Sequence, residues 1–223
     1  SLTYLNLDKN IIGGYHSNYV QLIFTPEGPA AISEMLKVNK TLTSISLGFN
    51  HIYAEGGIAV ADALKTNNTL TSLNLDFNKI GGYYDRNKRE IVPTPEGLAA
   101  ISAMLKVNTT LTSISLAGSY IQAEGAGYVS EALKTNESLT YLNLDKNIIG
   151  GYHSNYVQLI FTPEGPAAIS EMLKVNKTLT SISLGFNHIY AEGGIAVADA
   201  LKTNNTLTSL NLDFNKIGGY YDR

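Results

Sequence analysis

The sequence of 223 residues contains no cysteine, which excludes disulfides, thiolate metal ligands and a cysteine nucleophile. This absence leaves the cellular compartment open. Charged residues make up only 16% of the chain and the formal net charge is −3, which is too near neutral for a protein that binds nucleic acid by electrostatic attraction. No apolar run approaches the ~18 residues that a membrane-spanning helix requires.

Apolar residues account for 44% of the chain, which is enough to form a core and argues against disorder. The chain begins at Ser1 without Met or a signal sequence, so we expect it to be a piece of a longer protein.

Internal repetition is the dominant feature of the sequence. Residues 1–86 recur without change as residues 138–223, an offset of 137 residues. Within each period, the phrase Leu-Thr-x-(Leu/Ile)-x-Leu returns at spacings that alternate between 28 and 40 or 41 residues. It starts at Leu2, Leu42, Leu70, Leu111, Leu139, Leu179 and Leu207. Such periods are typical of solenoids and arrays.

Each short unit predicts one strand followed by one helix. From Leu42, apolar residues alternate with polar ones, which is the pattern of a strand with one solvated face. After Glu55-Gly56, apolar residues return at helical spacing: Ala59, Val60, Ala63 and Leu64. Strand and helix in tandem predict a parallel sheet backed by helices.

The pattern Leu-x-x-Leu-x-Leu-x-x-Asn-x-Ile, followed by Glu-Gly-x-x-Ala and Leu-Lys-x-Asn, resembles the leucine-rich repeat of the ribonuclease-inhibitor type. Similar units occur in the repeat regions of NOD-like receptors. The resemblance covers the whole chain and implies an α/β solenoid, curved or superhelical, with a parallel β-sheet on the concave side and helices on the convex side. Because this family is mostly a binding scaffold with unrelated partners, the resemblance says little about function.

Two positions depart from the repeat. Ser119 stands where the other units carry the asparagine that forms a buried ladder in the family, and a hydroxyl can replace only part of its bonding. We therefore expect a looser turn there. Tyr128 stands where sister units have Ala31, Ala59 and Ala100, which we expect to face the core, so its ring should fill a gap or push the helix outward.

The long units carry an insert between the strand and the helix. In each insert two β-prone arms flank a polar centre, which predicts a hairpin. Its exit predicts a helix start, with Thr25 as N-cap, Pro26 at the first helical position and Glu27 in the first turn, and Thr94-Pro95-Glu96 repeats this order.

The inserts contain eight of the fourteen tyrosines, and this residue type suits a half-buried contact surface. The eight are Tyr15, Tyr19, Tyr83, Tyr84, Tyr152, Tyr156, Tyr220 and Tyr221. Because strands lie ~4.8 Å apart, inserts two units apart would be spaced ~10 Å, about the width of one hairpin. Successive hairpins could therefore align as a second ribbon along one edge of the solenoid.

Polar residues alternate with the strand leucines and should face the concave surface. They include Asn6, Asp8, Asn74 and Asp76, with Asn143, Asp145, Asn211 and Asp213 in the second period. They form either a ligand groove or a solvated sheet face, and the lack of large anchor residues favours the second interpretation. Asp8 and Asp76 lie two units apart, too far to share a cation without other ligands, so we predict no metal site.

Every completed unit also carries an N-x-Ser/Thr sequon at its helix end, on the edge opposite the inserts. The six candidate N-glycosylation sites are Asn39, Asn67, Asn108, Asn136, Asn176 and Asn204. Used sequons would place a row of glycans along an extracellular protein. Alternatively, the chain is cytoplasmic and asparagine is present because it tolerates the left-handed conformation at a helix C-terminus.

No catalytic or phosphate-binding motif is present, and the histidines are two positions written twice, His16/His153 and His51/His188, without triad partners. We therefore predict that the protein is not an enzyme and needs no cofactor. We also expect residues 1–223 to be one repeat domain without caps, a window of a longer array.

Two functions remain open. Near-identical repeats favour a structural scaffold that forms a rod, superhelix or filament by self-association, because a receptor groove usually needs different residues along its length. The alternative is a ligand- or protein-recognition module, as in a leucine-rich repeat receptor or sensor.

Overall fold

A computed structural model describes residues 1–17, 21–154 and 158–218. In chain order its elements are β1 (Tyr4–Asn6), β2 (Gly14–Ser17), β3 (Gln21–Phe24), α1 (Glu27–Val38), β4 (Ser44–Ser46), α2 (Tyr53–Leu64), β5 (Ser72–Asn74), β6 (Gly82–Asp85), β7 (Glu90–Pro93), α3 (Pro95–Leu105), β8 (Ser113–Ser115), α4 (Gln122–Leu133), β9 (Tyr141–Asn143), β10 (Gly151–Ser154), β11 (Gln158–Phe161), α5 (Glu164–Val175), β12 (Ser181–Ser183), α6 (Tyr190–Leu201) and β13 (Ser209–Asn211).

The repeat strands form one seven-stranded parallel sheet in the order β1-β4-β5-β8-β9-β12-β13. Each strand pairs in register with the next unit, so that Leu5 aligns with Ile45, Ile45 with Leu73, and Leu73 with Ile114. The helices pack against their neighbours in the same sequence. This arrangement confirms the predicted α/β repeat fold.

The core lies between the sheet and the helices. Leu42, Ile45 and Leu47 are buried, and Val60 and Leu64 of α2 face them, as the two apolar periodicities predict. The helix α2 begins at Tyr53, two residues earlier than Glu55, where the sequence suggested its start. In the described part of the chain, no helix has both the length and the apolar character needed to cross a membrane.

A buried asparagine ladder joins the turns that follow the strands. Asn50 donates from Nδ2 to the carbonyls of Leu7 (2.7 Å) and Leu47 (3.0 Å), and its Oδ1 accepts the N–H of Asn10 at 2.8 Å. Asn78 repeats this arrangement one unit further, accepting the N–H of Asn50 at 2.9 Å. One amide side chain therefore satisfies backbone groups of two successive units, which a buried turn requires.

In the described residues, three inserts form separate two-stranded antiparallel sheets, β2-β3, β6-β7 and β10-β11, which confirms the predicted hairpins there. None of the described hairpins pairs with another, so a continuous second ribbon is absent from this part of the chain. The start of the short unit's helix lies beside the hairpins. That start packs against the preceding hairpin, since Tyr190 of α6 stacks on Phe161 of β11 with ring centroids 4.5 Å apart.

The exits from the hairpins differ in detail from the prediction. Pro26, not Thr25, is the residue before the first turn of α1, and neither Thr25 nor Thr94 makes a side-chain capping bond. Instead, the Thr25 hydroxyl donates to the carbonyl of Ile12 at 3.3 Å and that of Thr94 to Ile80 at 3.4 Å. These threonines therefore tie the hairpin exit to its entry. Pro95 does occupy the first turn of α3.

Tyr128 does not occupy a core position. The sister residues Ala59 and Ala100 are only partly buried and Ala31 is exposed, so this helix position lies at the margin of the core. The Tyr128 ring packs against the core from there, and its hydroxyl donates to Glu124 Oε1 at 3.2 Å.

Candidate interaction surface

The residue before each ladder position lies at the edge of the sheet where the strands end. These seven residues, which we call the edge row, are Lys9, Phe49, Phe77, Gly118, Lys146, Phe186 and Phe214. The Phe49 and Phe77 rings stack with centroids 4.4 Å apart, and Phe186 and Phe214 stack at 4.3 Å. Phe49 is 45% exposed and Phe186 is 43% exposed. The row thus presents stacked aromatic rings to solvent.

One lysine, Lys146, connects the two aromatic stacks. Lys146 Nζ lies 5.7 Å from the Phe77 centroid and 5.4 Å from that of Phe186, which are cation–π distances. Lys9 lies over Phe49 at 5.5 Å. Gly118 leaves the space that the Phe77 ring uses, because a Cβ at this position would come within 2.4 Å of that ring. The side chains of the edge row therefore form one contiguous surface.

The residues of the edge row have a strained backbone conformation, which reduces the stability of the fold. All seven residues have a φ between 56° and 62°, in the left-handed region that favours glycine. A bulky residue in that region costs about 1–2 kcal/mol, yet only one unit uses glycine. Strain that could be relieved by glycine is a reason to look for a function of the side chains.

The predicted polar residues of the sheet face have structural roles. Asp8 Oδ1 accepts the Ser46 hydroxyl at 2.7 Å and the Gly48 N–H at 2.6 Å, both from the following short unit. Asp76 makes the equivalent bonds to Ser115 (2.5 Å) and Ala117 (2.8 Å). These aspartates therefore clamp a long unit to the next short unit.

The asparagines Asn6 and Asn74 support this clamp. Their Oδ1 atoms accept the backbone N–H of Asp8 and Asp76, each at 2.8 Å. Burial raises the pKa of Asp76, against the opposing effect of the hydrogen bonds from Ser115 and Ala117. In the described residues, no group of three His, Asp or Glu side chains is placed to hold a metal ion.

The insert tyrosines lie along the hairpins, where the structure describes them. Tyr15, Tyr83 and Tyr152 occupy equivalent positions and pair in backbone register with Ile23, Val92 and Ile160. Tyr84 is partly exposed in β6. Tyr19, Tyr156, Tyr220 and Tyr221 lie outside the described residues.

Tyr53 at the start of α2 is a buried ring that sequence analysis did not single out. It makes an edge-to-face contact with Tyr83 at 6.4 Å, and Lys79 Nζ lies 5.3 Å from its centroid. Burial, with a smaller contribution from Tyr83, raises the pKa of Tyr53 to about 12. Burial also lowers the pKa of Lys79, and Arg86 adds to this effect.

The sequon asparagines form a second ladder at the helix ends. Asn67 donates from Nδ2 to the carbonyl of Leu36 at 2.7 Å, and its Oδ1 accepts the N–H groups of Thr69 and Leu70 at 3.0 and 2.8 Å. The same donor bond, always at 2.7 Å, runs from Asn108, Asn136, Asn176 and Asn204 to Leu64, Leu105, Leu133 and Leu173.

The geometry of this ladder corrects one interpretation of the sequons and bears on the other. Asn39 follows α1 with φ −70° and ψ 128°, an extended conformation, so tolerance of the left-handed region does not explain the asparagines. Glycosylation stays a prediction. Asn67, Asn108, Asn136 and Asn176 are buried, and Nδ2, the atom that a glycan would modify, is engaged within the fold.

The edge row was also missed by sequence analysis, although a signal exists. Aligning the units on the ladder asparagine gives the order Lys, Phe, Phe, Gly, Lys, Phe, Phe at the preceding position. The edge-row position lies in the turn after the strand, outside the alternating pattern that identifies the strand residues.

Comparisons with known proteins agree with this architecture. A leucine-rich repeat family model matches residues 38–61, 66–82, 175–198 and 203–219. A search of curated protein sequences returns no match. Among solved structures, the leiomodin-1 domain described as actin-binding site 2 matches with a TM-score of 0.57 and 24% identity, over 77% of this chain and 86% of that one.

Two further structures share the fold. The leucine-rich repeat-containing protein LegL7 from Legionella pneumophila matches with a TM-score of 0.54 and 19% identity, over 96% of this chain and 57% of that one. The tropomodulin C-terminal domain from Caenorhabditis elegans matches with a TM-score of 0.53 and 16% identity, over 74% and 89%. The matched segments are leucine-rich repeats, and the family model and the shared fold are consistent with a leucine-rich repeat protein of the ribonuclease-inhibitor type.

Proposed function

We propose that this chain is a non-enzymatic scaffold that binds a partner protein along the edge row. The observation that carries the proposal is the series of exposed, stacked Phe rings held at positive φ. Aromatic side chains dominate protein interfaces, because a large rigid ring buries much apolar area at little entropic cost. Here neighbouring rings and lysines already fix the ring positions before a partner arrives.

The leucine-rich repeat fold supports this proposal in a general way. The leiomodin-1 domain, which shares the fold, is described as an actin-binding site. At 24% identity the likeness concerns the fold, so the partner of the present chain is a separate question. A protein partner is favoured over a small ligand because the edge row is an open edge of the sheet and extends over many units.

The test compares a row variant with a matched control. The row variant carries Phe49→Ser, Phe77→Ser and Phe186→Ser. The control carries Val38→Ser, Val107→Ser and Val175→Ser, which remove three exposed apolar side chains on the helical side, whereas in the row variant Phe49 and Phe186 are exposed and Phe77 is half-buried. Affinity capture from source-cell extract with quantitative mass spectrometry should give partners that bind wild type and control, with at least a tenfold loss in the row variant. An unchanged set of partners in the row variant would argue against the edge row.

A structural array is the second candidate, and the repetition of the contacts favours it. The clamp from Asp8 to Ser46 recurs from Asp145 to Ser183 at the same 2.7 Å, and the sheet register is unbroken across the described units. Identical steps generate a regular superhelix, which is suited to a rod or filament.

Sedimentation velocity and negative-stain electron microscopy test self-association directly. The filament role predicts species that grow with protein concentration and show a constant axial repeat. A monomer at all concentrations would remove self-association from the proposal, while leaving binding through the edge row intact.

A further inference from the structure

A cleft of about 210 Å³ lies between the second and third hairpins. The start of α4 forms one wall of the cleft, and the hairpins β6-β7 and β10-β11 form its two sides. Its lining residues include Pro93, Gln122, Glu124, Ile148, Tyr152 and Ile160. The wall is mainly apolar, and the side chains of Gln122, Glu124, Tyr152 and Thr162 add polar groups to it.

The sister units show what this position can contain. The residue equivalent to Gln122 is Tyr53 in one short unit and Tyr190 in another. Both rings are only 4% exposed. Tyr190 stacks on Phe161 of the preceding hairpin, and Tyr53 contacts Tyr83 of the following hairpin. In these units a tyrosine ring therefore fills the space between a helix start and its hairpins.

The short unit that begins at Leu111 has Gln122 at this position instead of a tyrosine, but its backbone has the same conformation there. The φ of Gln122 is 58°, against 56° for Tyr53 and Tyr190. Pro93 pairs with Gly82 where Phe161 pairs with Gly151, so the stacking partner of the ring is missing as well. The cleft is thus a vacancy in an otherwise repeated packing arrangement.

A third difference is the loss of a positively charged side chain beside the cleft. Lys79 lies over the Tyr53 ring, whereas the equivalent residue beside the cleft is Ile148. The branched aliphatic side chain of Ile148, in place of an ammonium group, makes this part of the wall apolar and favours an uncharged ring against it, while Glu124 lines another part.

Gln122 provides the cleft with hydrogen-bonding capacity. The Gln122 side chain makes no hydrogen bond to any described residue, and a Cβ built on Gly82 would lie 3.4 Å from its Nε2. An amide can donate to and accept from one hydroxyl group. Glu124 beside it already accepts the Tyr128 hydroxyl.

We propose that this cleft binds one uncharged phenolic ring, with its face against Pro93, Ile148 and Ile160 and its hydroxyl bonded to Gln122. The volume is appropriate, because an apolar cavity of about 150 Å³ accommodates benzene. This site is separate from the edge row, so it does not depend on the proposed protein-binding function.

The probe is p-cresol, which is the tyrosine side chain without its backbone. Titration of the full chain, followed by isothermal calorimetry and by NMR shifts of the Gln122 and Tyr152 signals, should show saturable binding at one site. Gln122→Tyr should reduce affinity at least tenfold, because the introduced ring would fill the cleft as Tyr53 does in its unit. The control Val107→Tyr adds a tyrosine at an exposed position and should leave binding unchanged.

A second variant tests the hydrogen bond separately from the space. Gln122→Leu retains a side chain of similar size and should weaken p-cresol several-fold while leaving toluene binding unchanged. Thermal unfolding of each variant checks that it is folded. If p-cresol does not bind, or binds equally well to Gln122→Tyr, the proposal is overturned.

The origin of the ring can be tested in the same assay. N-acetyltyrosine methylamide carries the ring on a peptide backbone. Binding of both probes indicates that the cleft accepts a tyrosine side chain from another protein. Binding of p-cresol alone indicates a free phenolic compound, because the cleft entrance would then exclude the backbone.

Discussion

The backbone N–H of Ser119 donates to Oδ1 of Asn147 at 2.8 Å, so the ladder enters the middle unit intact. On the other side of Ser119, toward the preceding unit, the ladder bonding changes. The Ser119 hydroxyl donates to the carbonyl of Leu75 at 3.3 Å, and among the described contacts the side chain accepts nothing from the N–H of Asn78. In the equivalent step, Asn78 Oδ1 accepts the N–H of Asn50. Ser119 is therefore a weak link between two long stretches of asparagine ladder.

Ser119→Asn should stabilise the protein. The asparagine would restore the acceptor for Asn78 and a stronger donor to Leu75, and each buried hydrogen bond contributes about 0.5–1.5 kcal/mol. Hydrogen exchange should show slower exchange at the N–H groups of Asn78 and Ile80. The reverse change, Asn50→Ser, should destabilise by a similar amount. Faster exchange in Ser119→Asn would contradict this account.

Asp76→Ala should loosen the contact between the unit that begins at Leu70 and the next one. It removes the acceptor for Ser115 and Ala117, and a part-buried N–H left unsatisfied costs about 1–3 kcal/mol. Asp76→Asn keeps an acceptor oxygen and should have a much smaller effect. Denaturant unfolding, together with exchange at the Ala117 N–H, measures the difference. Equal effects of the two substitutions would show that the hydrogen bonds are not what matters.

Tyr53 should make the stability of the protein decline in alkali. Burial raises its pKa to about 12 in the folded chain, above the ordinary tyrosine value of about 10, so the folded state retains a proton that the unfolded state loses. The stabilising contribution is complete below about pH 10 and is lost as the pH rises through about 12. Tyr53→Phe should flatten this part of the profile of unfolding free energy against pH. An identical slope in both proteins would contradict the prediction.

Glycan attachment should depend on whether the chain is folded. The Nδ2 atoms of Asn67 and Asn136 donate to carbonyls inside the fold, so an oligosaccharyltransferase with its lipid-linked donor should not modify them in the folded protein. The same sequons in an unfolded chain should be modified. Mass spectrometry of glycopeptides from both samples measures the difference, and equal modification would show that the helix ends open readily.

The repeat fold could be predicted almost completely from the sequence. Leu42, Ile45 and Leu47 are buried as the apolar spacing predicts, because a strand has two faces, although Ser46 between them is buried as well. The hairpins were also predictable, since their arms and polar centres are local features. Less predictable were the start of α2 at Tyr53 and the absence of a capping bond from Thr25, because helix ends depend on contacts with neighbouring units.

For the candidate surfaces, too, the sequence identified some residues, and the structure gave their contacts. Asp8 and Asn67 were identified by residue type, but only the structure showed that their polar atoms are used to join one unit to the next. The residue type gives the hydrogen-bond donors and acceptors of a side chain, but only the tertiary structure gives their partners. Solvent exposure and pairing follow from the packing of units that are 28 to 41 residues apart in the chain.

The sequence by itself determined the repeat, its strand-and-helix content and the hairpins, because periodic apolar residues and turn-forming residues act locally. The tertiary structure alone decided the stacking of the Phe49 and Phe77 rings and the cleft beside Gln122. Both features arise only when consecutive units stack in register, since each is made of side chains that meet across the boundary between units.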